Sequence, residues 1–139
     1  MTWLRFGLLA LLAAAGPGAA TATESADGDP VPSPVELLPE TCEMELALSA
    51  APPHLRPDAA VYGLGPDGYR KLRDGSNGFT CLVNRDHPRV LKPTCFDREG
   101  ADTVVPKILF FGQALMDGEP AAAVREKVQA GFDEGRFRS

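Results

Sequence analysis

The most strand-like run of the chain is Phe79-Thr-Cys-Leu-Val83, and this run decides the fold class. Its residues are aromatic, β-branched or apolar, which are types enriched in strands. Successive side chains of a strand point to opposite faces, so Phe79, Cys81 and Val83 share one face. A strand is not stable alone, and the flanking sequence must therefore supply its partners.

Three further segments have strand character. Ala59–Leu64 and Tyr69–Arg73 precede the central run, and Val90–Asp97 follows it as a weaker strand that is interrupted by a proline. Turn-forming sequences separate the first three strands, since glycine, proline and asparagine favour chain reversals. The predicted turn residues are Gly65, Pro66, Gly68, Asn77 and Gly78. Taken in chain order, these segments predict an antiparallel meander of three to four strands.

Helical sequence lies on both sides of the predicted sheet. Pro39 and the acids after it begin an N-terminal helix that Pro52 ends. Beyond the strands the apolar period changes from two to about 3.6, which predicts one helix over 104–116 and a second over 120–132. The sequence therefore predicts an α+β domain with one N-terminal helix and two C-terminal helices.

The first 22 residues have the pattern of a secretory signal peptide. Arg5 precedes an uncharged run of about ten residues, and Gly16-Pro-Gly18 and the small residues Ala20-Thr-Ala22 follow. About twenty apolar residues are needed to cross a membrane, so this run is too short to be an anchor. We predict cleavage after Ala22, with Ala20 as the alternative site, and export to the periplasm or the cell exterior, with no membrane association after the leader is removed.

Composition divides the rest of the chain. Residues 23–39 are rich in proline and acids and predict an extended linker, and residues 40–139 predict one small domain. The formal net charge is −5, which argues against nucleic acid because binding to phosphates requires cationic surface. The basic stretch Arg70-Lys-Leu-Arg73 is short and is followed by Asp74, which is typical of a solvated strand face.

The three cysteines predict a disulfide if the protein is exported. Oxidising compartments favour disulfides, and Cys81 and Cys95 lie on adjacent predicted strands. Pairing through Cys42, a reduced state and a metal-bound state are the alternatives. One thiol is left over after any single pairing, and with the favoured pair it is Cys42.

Motifs for cofactors and catalysis are not matched in their structural context. Gly63-Leu-Gly-Pro-Asp-Gly68 has the spacing of a dinucleotide fingerprint, but a turn and a strand follow it where that site needs a helix. Gly75-Ser-Asn-Gly78 lacks the spacing of a nucleophile elbow. Cysteine and histidine spacings typical of metal sites are missing from the sequence. We therefore predict no cofactor, no metal site and no catalytic residues.

These features leave three functions open. The favoured one is a non-catalytic binding or structural module. The first alternative is a small hydrolase-like enzyme whose site is assembled from His54, Asn77, Cys81 and His87. The second alternative is a carrier of a small apolar ligand, which predicts an apolar cavity between the 104–116 helix and the sheet. The identities of ligand and partner do not follow from the sequence.

The chain also resembles a group of uncharacterised exported bacterial proteins, most specifically at Gly75-Ser-Asn-Gly-Phe-Thr-Cys-Leu-Val83. The resemblance spans roughly residues 42–138 and implies no activity. Members of the group continue past the stretch that matches Gly135-Arg-Phe-Arg138, so the resemblance implies a domain that is incomplete at its C-terminus. Its other matching segments are Ala47–Leu55, Ala60–Tyr62, Pro93–Cys95, Asp97, Glu99–Gly100 and Ala130–Phe132.

Overall fold

The computed structural model describes residues 34–139, so the predicted leader and most of the predicted linker lie outside the described residues. The described part is an α+β domain with a four-stranded sheet, which confirms the predicted class. None of its helices is long and apolar enough to cross a membrane. The elements are α1 (Glu40–Ser49), a 3₁₀ turn (Arg56–Asp58), β1 (Ala60–Gly65), β2 (Gly68–Arg73), β3 (Thr80–Asn84), β4 (Lys92–Phe96), α2 (Arg98–Thr103), α3 (Val105–Met116) and α4 (Ala121–Asp133).

The sheet has the order β2-β1-β3-β4, and β1 runs parallel to β3. The predicted antiparallel meander is therefore wrong. A meander would place β2 inside the sheet, although the side chains of Arg70 and Lys71 are exposed. The run Cys81-Leu-Val83 is buried at every position, and such a strand requires layers on both of its faces. The charged strand thus lies at the edge, and the apolar strand lies inside the sheet.

A crossing loop, residues 74–79, makes the parallel pairing possible. It passes over the start of β1, where the backbone N–H groups of Ser76 and Asn77 donate to the Asp58 carbonyl at 2.8 and 3.2 Å. Gly75 lies so close to the backbone of Ala60 that a Cβ atom would collide with the Ala60 nitrogen. The cluster predicted as a hairpin turn is therefore a crossover with a sterically required glycine.

Both edge strands carry features that oppose pairing with another chain. β2 has a bulge where the register shifts between Val61 and Tyr62, and its outer residues are charged. β4 contains Pro93, which cannot donate a backbone hydrogen bond, next to the exposed Lys92. Natural sheets use the same devices to prevent edge-to-edge association.

Helices cover both faces of the sheet. α1 packs on the face that carries Val61, Cys81 and Val83. α2 and α3 lie on the face that carries Leu82, where Val105 completes the buried contact. α4 packs against the outer side of α3. The sheet thus lies between α1 on one face and α2 and α3 on the other, with α4 outside α3.

The segment that precedes α1 packs against the body of the domain. Val35 contacts the buried cluster between α3 and α4, and the backbone N–H of Glu36 donates to the Pro88 carbonyl at 3.0 Å. The last residues of the predicted linker are thus part of the folded structure. We call residues 34–39 the strap.

The disulfide predicted between Cys81 and Cys95 is present. The two residues are register partners on β3 and β4, and directly opposed positions of antiparallel strands bring side chains closest together. Cys42 lies exposed on α1 as a free thiol. The bond joins an edge strand to the centre of the sheet beneath α1.

Candidate functional site

The four residues of the predicted hydrolase-like site do not converge. Asn77 donates to the Leu55 carbonyl at 2.8 Å, which places it near His54 at the start of β3, whereas His87 follows the end of that strand. β3 has five residues, so its ends are separated by roughly 13 Å at about 3.3 Å per residue. Cys81 is fully buried and its sulfur is bonded to Cys95, so it has no thiolate to offer.

Asn77 has a structural role in the described domain. Its side-chain nitrogen binds the Leu55 carbonyl, and its side-chain oxygen accepts from the Phe79 backbone N–H at 3.0 Å. Both ends of the amide are therefore engaged in holding the crossing loop against the loop that follows α1. An amide fixed in this way is not free to contact a substrate.

The most deeply buried charges are Glu43 and Arg85, which the sequence did not single out as a pair. Their side chains are 2% and 0% exposed and form two hydrogen bonds of 2.7 and 2.6 Å between guanidinium and carboxylate. Glu43 also accepts from the Leu64 backbone N–H at 3.2 Å. Arg85 donates further to the carbonyls of Val83 and Glu36 at 3.2 and 3.1 Å. We call this group of contacts the clamp.

Tyr69 completes the clamp from β2. Its hydroxyl donates to the Val83 carbonyl at 2.5 Å, and burial raises its pKa from 10.0 to about 12 despite the lowering influence of Arg85. Burial alone would lower the pKa of Arg85, but the hydrogen bonds and the charge of Glu43 outweigh it and raise that pKa. Both groups keep their protons at neutral pH, so the clamp works as a structural joint and not as an acid–base pair.

The signal for the clamp in the sequence was weak. Glu43 lies on the same helical stripe as the buried Ala47 and Ala51, four and eight residues later, and this spacing places it against the sheet. Acids in the first turn of a helix are also stabilised by the helix dipole when they are exposed, so the sequence pattern does not require Glu43 to be buried. The partner lies 42 residues away, beyond the reach of local patterning.

A first hollow lies beside α1 and the β1–β2 hairpin, with a volume of about 150 Å³. Its apolar lining includes Leu38 and Leu72, and its charged groups are Glu40, Glu43 and Arg70. Glu40 pairs with Arg70, and Glu43 pairs with Arg85. Since each charge that lines this hollow already has an opposite partner, the hollow offers no free group to orient a ligand.

A second hollow, the α3–α4 pocket, lies where α3, α4 and the end of β3 meet, and its volume is about 160 Å³. Its surface is mainly apolar. A few convergent polar groups over an apolar floor are typical of small-molecule sites. The lining residues are Asn84, Asp86, Lys107, Ile108, Phe111 and Val128.

The polar groups of the α3–α4 pocket are unequally engaged. Asp86 pairs with Lys92 at 2.5 Å, and its backbone carbonyl accepts from Arg125 at 3.2 Å. The Lys107 ammonium lies 5.5 Å from the centre of the Phe132 ring and forms no ion pair with a carboxylate of residues 34–139. Lys107 thus lines the pocket and Lys92 and Arg125 contact Asp86, which is the one carboxylate among the lining residues. In the sequence, Lys107 is the single charged residue of the twelve that form α3, and this was the available signal.

Comparisons of the chain with models of protein families, with curated proteins and with solved structures give no match. The resemblance to exported bacterial proteins stays a prediction. Functional inference for this domain therefore depends on its own geometry.

Proposed function

We propose that the chain is an exported, non-catalytic binding module that carries a small apolar ligand in the α3–α4 pocket. The proposal depends on the position and lining of this pocket, which is an apolar hollow between α3, α4 and the end of the inner strand β3. A carrier needs such a hollow, and a purely structural module does not.

Export is supported by two independent features. The first 22 residues have the pattern of a cleavable leader, and the folded domain contains a disulfide between β3 and β4. Disulfides persist mainly in oxidising compartments. A small domain that works outside the cytoplasm also benefits from a covalent link to an edge strand.

A binding role is favoured over catalysis by the state of the polar groups. Every buried side-chain nitrogen and oxygen in residues 34–139 has a hydrogen-bond partner. A buried polar group without a hydrogen-bond partner is one sign of a catalytic role. The residues that the hydrolase-like alternative requires are divided between the two ends of β3, which removes its geometric support.

The proposal is tested by filling the pocket. Val128 is half-buried and lines the pocket, whereas its neighbour Gln129 is exposed on the same helix. We expect benzyl alcohol and isobutanol to shift the amide NMR signals of Ile108 and Phe111 in the wild-type protein. Val128→Trp should abolish these shifts, because the indole occupies the hollow, and the matched variant Gln129→Trp should retain them.

Two outcomes would contradict the proposal. In one, neither compound shifts the pocket amides at millimolar concentration. In the other, Val128→Trp binds both compounds as the wild type does. Far-UV circular dichroism of both variants establishes that the fold is retained before binding is compared.

A further inference from the structure

We infer that the ligand of the α3–α4 pocket is a small carboxylic acid in its ionised form, with a compact apolar group of about six carbons. This inference rests on the proposed function and adds one charged group, a carboxylate, to the apolar ligand proposed there. It follows from the charge around the pocket, the surroundings of Lys107 and the size of the hollow.

The charge around the pocket is positive although the chain as a whole is acidic. Lys107 lines the pocket, and Lys92 and Arg125 contact Asp86 at its rim. Asp86 is the single carboxylate of the lining and neutralises only one of the three cations. The formal charge of the whole chain is −5, so this local excess of cations runs against the composition. A surface of this kind attracts a small anion.

Lys107 is the cation best placed to orient that anion. It is half-buried and stands over an aromatic ring, while Ile108 and Phe111 form the apolar floor beside it. The face of an aromatic ring attracts an ammonium group but does not neutralise its charge. A carboxylate can accept a charge-assisted hydrogen bond from the same ammonium while its apolar part rests on the floor. The two parts of the ligand are thus read by adjacent groups.

The volume of the pocket limits the apolar part. An engineered apolar cavity of about 150 Å³ in another protein holds benzene. The hollow here measures about 160 Å³, so a phenyl or branched alkyl group is enough to fill it. A bare inorganic anion would leave the apolar floor in contact with water. We therefore expect the apolar group to be required for binding.

Phenylacetate and phenylacetamide test the inference, because they have nearly the same size and differ in charge. We expect wild-type protein to bind phenylacetate at least about tenfold more tightly, a difference of about 1.4 kcal/mol. Lys107→Gln should remove this preference by weakening only phenylacetate, and Lys107→Arg should restore it. Lys127→Gln removes an exposed lysine of α4 that pairs with Glu119, and it should change neither affinity. Dissociation constants come from NMR titration of the pocket amides.

The outcomes separate the inference from the proposed function. Equal affinities for the two compounds in the wild-type protein would overturn the carboxylate assignment and leave the apolar site intact. A preference for phenylacetate that persists in Lys107→Gln would also overturn the assignment, because a group other than Lys107 would then bind the carboxylate. Failure of both compounds and of benzyl alcohol to reach the pocket would overturn the proposed function as well.

Discussion

The clamp gives the sharpest expectation about stability. Glu43→Leu removes the carboxylate and leaves the fully buried Arg85 guanidinium with only two carbonyl acceptors. It also leaves the Leu64 backbone N–H without its acceptor. Removing one partner of a buried ion pair costs about 3–5 kcal/mol. Domains of this size have a free energy of unfolding of about 5–15 kcal/mol, so the variant should lose a large fraction of its stability.

The reverse deletion and the double substitution complete a cycle. Arg85→Met strands the Glu43 carboxylate and should cost a similar amount, about 3–5 kcal/mol. The double variant contains no buried charge but still leaves the Leu64 backbone N–H without its acceptor, so it should cost about 1–3 kcal/mol. The two substitutions should therefore couple by at least about 3 kcal/mol. An exposed control lies three residues earlier, where Glu40→Leu breaks the Glu40–Arg70 pair and should cost less than about 1 kcal/mol.

Urea unfolding followed by circular dichroism, on oxidised protein, measures all four variants. Losses from Glu43→Leu and Arg85→Met that simply add in the double variant would refute the expected coupling. A loss from Glu43→Leu no larger than the loss from Glu40→Leu would refute the expected cost of a stranded buried charge. Either result would mean that water or structural relaxation compensates the stranded charge.

Three further expectations concern pH, the disulfide and the crossing loop. The pKa of Tyr69 rises from 10.0 in the unfolded chain to about 12 in the fold, so its contribution to the free energy of unfolding is complete below pH 10 and is lost as the pH rises through 12. Tyr69→Phe should therefore remove most of the decrease in the free energy of unfolding that urea titrations measure from pH 9 to 12. Reduction of Cys81–Cys95, 14 residues apart, should lower the free energy of unfolding by about 3 kcal/mol, and unchanged urea midpoints with and without reductant would contradict this. Gly75→Ala should cost about 1–3 kcal/mol because backbone atoms surround the new methyl group, whereas at Gly65 the nearest atom lies 4.0 Å away; thermal melts in which both alanine variants lose the same stability would refute that steric argument.

The strands and the disulfide were predictable because their signals are local. The aromatic, β-branched and apolar residues of Phe79–Val83 predict β3, and the positions of Cys81 and Cys95 in the chain place them on neighbouring strands. The strand order predicted from the sequence is wrong, although part of the signal for the correct order is local. The stretch Arg70-Lys-Leu-Arg73 is typical of a solvated strand face, and a strand so charged belongs at an edge. A meander places this strand inside the sheet, which is inconsistent with its charge.

The sites depend on contacts that local patterns cannot supply. Glu43 and Arg85 are 42 residues apart, and their pairing exists only because β3 lies next to β1 in the sheet. The sequence predicts an apolar cavity beside the 104–116 helix, but it does not predict which polar groups line that cavity. Asp86 and Lys107 reach the same hollow from different elements, and only the three-dimensional fold brings them together.

The clamp and the α3–α4 pocket are joined through consecutive residues. Arg85 turns inward to Glu43, and the next residue, Asp86, lines the pocket and pairs with Lys92. The same loop holds the strap, because the Glu36 carbonyl accepts a hydrogen bond from Arg85 and the Glu36 backbone N–H donates to the Pro88 carbonyl. The Arg85 guanidinium is buried and donates four hydrogen bonds, so it limits the movement of the backbone from which Asp86 projects. The buried Glu43–Arg85 pair therefore holds the loop that carries Asp86, which forms one wall of the pocket. A ligand that binds there does not lose affinity to the ordering of this wall.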